Sequence, residues 1–178
     1  MRIVGGAERG RTLLSVAGTS TRPTADRVRQ SLFDVLGQRC DGLAVLDLYA
    51  GTGALALEAI SRGAASATLV EHEGAACKVI EQNIAALRYG DRCTLLRDDV
   101  PRALRRLLSA RFDLVFSDPP YALRAAQATV DAVAPLLLPG ARVVLEMDKR
   151  EPLPLRCEVL DDRVYGDTRV LIVRAQPA

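Results

Sequence analysis

The chain has 178 residues, 49% of them hydrophobic and 26% charged, with a net charge of +2. That is the length of one domain with enough apolar side chains for a core, and no apolar run reaches the ~20 residues of a membrane span. The single histidine, His72, excludes any mechanism that needs two, and without a G-x-S-x-G elbow a serine-hydrolase triad is excluded as well.

Cys40, Cys77, Cys93 and Cys157 show neither C-x-x-C spacing nor a histidine at ligand spacing, so no metal site is expected. Reduced thiols in a cytoplasmic chain are the expectation, and the leading residues lack the apolar stretch of a signal peptide. The charge is unevenly spread. The first thirty residues hold Arg2, Arg9, Arg11, Arg22, Arg27 and Arg29 against Glu8 and Asp26. A basic leading segment on a slightly acidic body points to a polyanionic partner.

In chain order, residues 2–4 and 12–16 read as two short strands joined by a turn through Gly5-Gly6 and Gly10. Thr24 is placed to cap a helix from Ala25, with Val28, Leu32, Val35 and Leu36 on one face and Gly37 at its end. From Leu43 onward strands and helices alternate. The strands are 43–48, 67–70, 93–96, 112–117 and 142–145; the helices are 54–62, 73–87, one opening near Pro101, and 123–138. Residues 156–160 and 169–173 read as a closing antiparallel pair around Gly166. The fold class is α/β: a Rossmann-like, mostly parallel seven-stranded sheet with helices on both faces, an antiparallel last strand, and a short N-terminal hairpin and helix. Residues 1–37 form the extension and 38–178 the main domain.

Ligands of such a sheet bind at the carboxyl ends of the strands. After the first strand comes Asp47-Leu48-Tyr49-Ala50-Gly51-Thr52-Gly53. Gly51 and Gly53 let a ligand approach the main chain, and the next helix turns its N-terminus toward that ligand. Asp47 would repel a pyrophosphate, but it suits the ammonium of a methionine moiety, directly or through water. Glu71 follows the second strand, twenty residues past Gly51, where an acid accepts hydrogen bonds from ribose hydroxyls. His72 stands beside it. Asp98-Asp99 follows the third strand, where an adenine contact and a helix cap ahead of Pro101 can coexist. After the fourth comes Asp118-Pro119-Pro120-Tyr121. Two prolines stiffen the chain, so that the Asp118 carboxylate and the Pro119 carbonyl face a planar amino group as acceptors, with Tyr121 stacking on the base.

These motifs together resemble the class I methyltransferases that modify amino groups. Arg2-Ile3-Val4-Gly5-Gly6, Arg9-Gly10-Arg11 and the run Arg22 to Arg29 resemble the front motifs of the RsmD family; so do Gly51 to Leu55, Leu57-Glu58-Ala59, Ser61 to Ala64 and Val70-Glu71-His72. The resemblance covers the whole chain. Gln30 stands where the family often has an acid, and Ala56 where it often has glycine.

The resemblance implies S-adenosylmethionine as cofactor, held by Asp47, Tyr49, Ala50, Gly51, Thr52, Gly53, Glu71, His72, Asp99 and Asp118. It implies methylation of a guanine N2 in 16S rRNA, of the position-966 type, within the small ribosomal subunit or its assembly intermediate. Asp118, Pro119, Pro120 and Tyr121 would be catalytic, Arg2, Arg9, Arg11, Arg22, Arg27 and Arg29 would hold RNA, and the protein would be a cytoplasmic monomer that binds no metal. Two alternatives remain at this point. A DNA adenine-N6 or cytosine-N4 methyltransferase shares the tetrapeptide, although no long target-recognition insertion is present. A non-catalytic RNA-binding protein would keep the fold.

Overall fold

The computed structural model describes residues 1–16, 23–119, 126–153 and 157–175. After the front segment, the elements run α1 (Pro23–Val35), β1 (Ala44–Leu48), α2 (Ala54–Ser61), β2 (Ser66–Glu71), α3 (Gly74–Leu87), β3 (Cys93–Arg97), α4 (Val100–Arg106), β4 (Phe112–Ser117), α5 (Ala126–Val133), β5 (Leu137–Asp148), β6 (Cys157–Tyr165) and β7 (Thr168–Ala175). The seven strands form one sheet in the order β3-β2-β1-β4-β5-β7-β6. β7 pairs antiparallel with both β5 and β6, while the pairs among β1 to β5 are parallel. This is the expected sheet, with the last strand reversed. Among the described residues, no helix is long and apolar enough to cross a membrane.

Alternation along the strands divides the core into two layers. Val45, Leu69, Leu114, Phe116, Val144 and Ile172 face one layer, with α1, α2, α3 and the front segment. Leu46, Leu48, Val70, Val115, Val143, Leu145 and Leu171 face the other, with Ala103 of α4 and Val130 and Val133 of α5. The near-continuous apolar runs of the central strands follow from this burial on both faces.

Several elements differ from their sequence-based bounds, β5 and β6 by being longer. The two front strands reduce to a single antiparallel bridge, Arg2 to Thr12, supported by the Ile3 N–H donating to the Arg11 carbonyl at 2.9 Å. The first helix opens at Pro23, so Thr24 lies inside its first turn and is not its cap. Pro at the opening of a helix loses no internal hydrogen bond. The helix expected over 123–138 ends at Val133, followed by a 3-10 turn at Ala134–Leu136 and by β5 from Leu137. Pro135 lacks the N–H that would continue the α-helix, and its ring meets the carbonyl four residues back. The first residues of that expected helix, 123–125, lie outside the described residues.

Candidate functional site

β1 and β4 pair in register from Val45 with Leu114 to Leu48 with Ser117, and their connections leave toward opposite sides of the sheet. A crevice therefore opens above their carboxyl ends, the usual binding place of such sheets. The chain leaves β1 through Tyr49, which sits at φ 62. A tyrosine in the left-handed region costs on the order of 1 kcal/mol and is found most often at binding sites. The Gly53 N–H closes the turn on the Ala50 carbonyl at 2.7 Å, and Ala50 itself is buried. At Gly51, φ is +58 and nothing lies within 4 Å of where a Cβ would stand. This face of the loop is open, and a ligand can lie directly on the main chain. The Thr52 hydroxyl donates to Met1 Sδ at 3.6 Å, so its side chain turns toward the front segment.

Glu71 holds the loop from β2. Its Oε2 accepts the Gly51 N–H at 2.8 Å, and its Oε1 accepts the N–H groups of His72 and Glu73, each at 2.8 Å. Three of the roughly four acceptor positions of a carboxylate are thus taken. A ribose at Glu71 either takes the remaining position or displaces the Gly51 bond. The His72 ring is exposed, with Nδ1 3.5 Å from Glu71 Oε1.

Asp47 is only 2% exposed. Its Oδ2 accepts the Ala56 N–H at 3.1 Å, tying β1 to the first turn of α2. Burial above all pushes its carboxyl up to about 7; the Ala56 hydrogen bond opposes this, and the charges of Asp118 and Glu71 add to it. Three carboxylates thus share one hollow. That field repels a pyrophosphate and suits a cationic ligand.

Beside this hollow lies a cavity of about 450 Å³ lined by Tyr49, Val70, Val100, Pro101, Leu104 and Val133, with Glu71, His72, Asp98 and Asp99 also on its wall. Apolar walls with nearby carboxylate acceptors fit an adenosine, whose flat ring carries an amino donor and whose ribose carries two hydroxyls. Asp99 is the N-cap of α4, its Oδ1 accepting the Arg102 N–H at 2.8 Å. Asp118 stands exposed just past β4, Pro119 is half-buried, and Ser117 beneath them is buried with no hydrogen bond to its hydroxyl among the described residues. Pro120 and Tyr121 lie outside the described residues.

The sequence profile described as conserved hypothetical protein 95 matches residues 1–174. The chain belongs to the RsmD family of methyltransferases. The Bacillus subtilis protein YlbH is 36% identical over 185 residues, covering 98% of each chain. The Escherichia coli protein named ribosomal RNA small subunit methyltransferase D is 38% identical over 121 residues, which cover 68% of this chain and 60% of that one. The solved structure of yhhF from Escherichia coli superposes with a TM-score of 0.85 at 31% identity, covering 100% of this chain and 99% of the other.

The arginines of this RsmD-family chain divide by burial. Arg9 and Arg27 are exposed, and with Arg2 and Gln30 they line a groove of about 440 Å³. Arg11 is also exposed; it lies 3.6 Å from Glu8 and donates to the Ala86 carbonyl at 2.9 Å. Arg22 lies outside the described residues. Arg29 differs from its expected role. It is 5% exposed and held by Asp26 at 2.9 Å, by Glu58 at 3.4 Å and by the Arg2 carbonyl. It is a buried tie between the front segment and α2, out of reach of a phosphate.

Two residues with no assigned role sit at the joints. Glu58, fully buried, accepts the Val4 N–H and Arg62 Nε, each at 2.8 Å. Asn83, 1% exposed, bonds both the front segment and the glycine loop. Each leaves a trace in the sequence: Glu58 is the lone charge in the apolar helix ALALEAIS, and Asn83 falls in the apolar stripe of α3 between Ile80 and Leu87.

Proposed function

We propose that this chain transfers a methyl group from S-adenosylmethionine to the exocyclic N2 amine of a guanine in the 16S rRNA of the small ribosomal subunit, of the position-966 type. The observation that carries the reading is the position of Asp118 directly after β4, close enough to Asp47 for the two charges to act on each other, with an adenosine-sized cavity at the ends of β1, β2 and β3. The names of the Escherichia coli and related proteins support ribosomal RNA as substrate.

S-adenosylmethionine supplies a methyl group on a positively charged sulfur, and the carboxylates of Glu71 and Asp118, joined by Asp47 when it ionises, favour that cation over its neutral-sulfur product. Gly51 and the start of α2 hold its methionine end, Glu71 its ribose, and Asp99 the adenine edge. The Asp118 carboxylate and the Pro119 carbonyl accept the two N–H bonds of the guanine amine and turn its lone pair toward the methyl carbon. As the N–C bond forms, the C–S bond breaks and its electron pair stays on sulfur. The surplus proton leaves to Asp118 or to water. Positioning supplies most of the rate, so no strong base is needed. The sequence motif assigns Tyr121 to stacking on the flipped base, which costs only a few kcal/mol to extrude from a loop, and Pro120 to the same catalytic motif; both lie outside the described residues. Residues 1–37 form the RNA-facing extension, with Arg2, Arg9, Arg11 and Arg27 on phosphates. The protein acts as a monomer in the cytoplasm.

Radiolabelled S-adenosylmethionine is incubated with naked 16S rRNA, with unmethylated small subunits and with DNA. Label enters the ribosomal RNA, and digestion yields N2-methylguanosine. Label in none of the three overturns the reading, and label in another nucleoside overturns the base assignment.

A further inference from the structure

The Asn83 side chain lies between the front segment and the glycine loop. Its Oδ1 accepts the Leu14 N–H at 2.8 Å, and its Nδ2 donates to the Leu14 carbonyl at 3.2 Å and to the Thr52 carbonyl at 3.0 Å. One buried amide thus uses its acceptor and both its donors on two backbone segments that are otherwise far apart in sequence. The Thr52 hydroxyl adds a second tie to the front through Met1 Sδ. On its other side the same loop is held by Glu71 through the Gly51 N–H. Thr52 follows Gly51, the residue on which a ligand would rest.

We infer that Asn83 is a positioning residue that couples the front segment to the cofactor loop, so that filling the loop stiffens the front segment and RNA on the front segment tightens the loop. The physical basis is that both segments draw their order from one amide. Ordering Thr52 fixes the Asn83 side chain, and a fixed Asn83 holds both polar groups of Leu14. Coupling of this kind is reciprocal and needs no change of shape. The inference rests on the proposed function, in which the loop holds S-adenosylmethionine and the front segment meets ribosomal RNA.

S-adenosylhomocysteine serves as an unreactive probe. Calorimetry first establishes its binding to the whole protein, and amide hydrogen exchange is then followed with and without it. The Leu14 amide should exchange at least about 5-fold more slowly with the probe bound. In Asn83→Asp the acceptor for the Leu14 N–H remains, while both donors are lost. This variant should still bind the probe, with the slowing at Leu14 reduced to less than about twofold. In the wild type, 16S rRNA affinity should rise at least about 5-fold with the probe, and in the variant this ratio should fall close to one. A purely structural Asn83 would lower the Tm and weaken both affinities while leaving the ratio unchanged, and that result overturns the inference. Probe binding without slowing at Leu14 in the wild type also overturns it, even if the variant does not fold, and leaves the proposed function standing. Failure of the probe to bind overturns both.

Discussion

At the scale of single residues, the site joins a buried acid to an exposed one. Asp118 is exposed and follows β4 directly, and in the proposed function it holds the acceptor amine. Asp118→Ala should lower methyl transfer at least ~100-fold while S-adenosylhomocysteine affinity changes less than about threefold, as read by labelled transfer and calorimetry. Equal loss of both would mean that Asp118 serves the cofactor. Asp47 titrates near 4 when unfolded, and burial moves it to about 7 in the fold. The folded state therefore prefers Asp47 neutral. That stabilisation is fully present below about pH 4 and is lost as pH rises through about 7, on the order of 4 kcal/mol at most. In Asp47→Asn the loss disappears. Without cofactor, the Tm of the variant minus that of the wild type should grow between pH 4 and pH 8; a flat difference would place Asp47 in contact with solvent or a cation. The position of Asp47, Glu71 and Asp118 at the strand ends was legible in the sequence because the strand–helix alternation fixes where each strand stops. The burial of Arg29 was not, because composition records a charge and not the carboxylates packed against it.

At the scale of elements, α2 joins the site to the front of the chain. It starts at the glycine loop and is capped by Arg62, whose guanidinium lies 4.7 Å from the centre of the Phe33 ring of α1. Gly6, at φ +75, leaves no room for a side chain, since a Cβ there would stand 2.0 Å from the Ser61 carbonyl oxygen. Glu58 gathers Val4, Arg29 and Arg62 around one buried carboxylate. Removing Glu58 leaves the buried Arg62 without its counter-charge and Arg29 with Asp26 alone, so Glu58→Ala should destabilise the protein by about 3–5 kcal/mol in urea unfolding. A loss below about 1 kcal/mol would show that the cluster is solvated. The strand–helix alternation and the reversed last strand were readable because period and turn residues carry them. The hairpin is shorter than its sequence pattern: beyond the bonds flanking the Arg2–Thr12 bridge, the Leu14 N–H turns to Asn83 of α3 and leaves the second strand's ladder. The overlong helix before β5 took in the 3-10 turn at Ala134–Leu136 and the first two residues of the strand, an apolar run that periodicity cannot divide.

At the scale of the whole molecule, the arginine-rich front lies on one layer of the sheet while the acids converge above its strand ends. The two fields suit two ligands of opposite charge, a polyanion and a cation. Arg9→Glu with Arg27→Glu should weaken 16S rRNA binding and reduce the slope of log affinity against log salt by about 1–2, with S-adenosylhomocysteine affinity unchanged. An unchanged slope would leave the groove without a role in RNA contact. The front segment also constrains when this surface can exist. Val4 and Leu14 bond to partners 54 and 69 residues further along. At a synthesis rate of roughly 5–20 residues per second, the nascent front waits several seconds for α2 and α3 to be made. The arginine-rich surface is therefore finished only after the glycine loop that it rests on, and a ribosome-bound fragment should present no ordered front before the glycine-loop side of the molecule has been built.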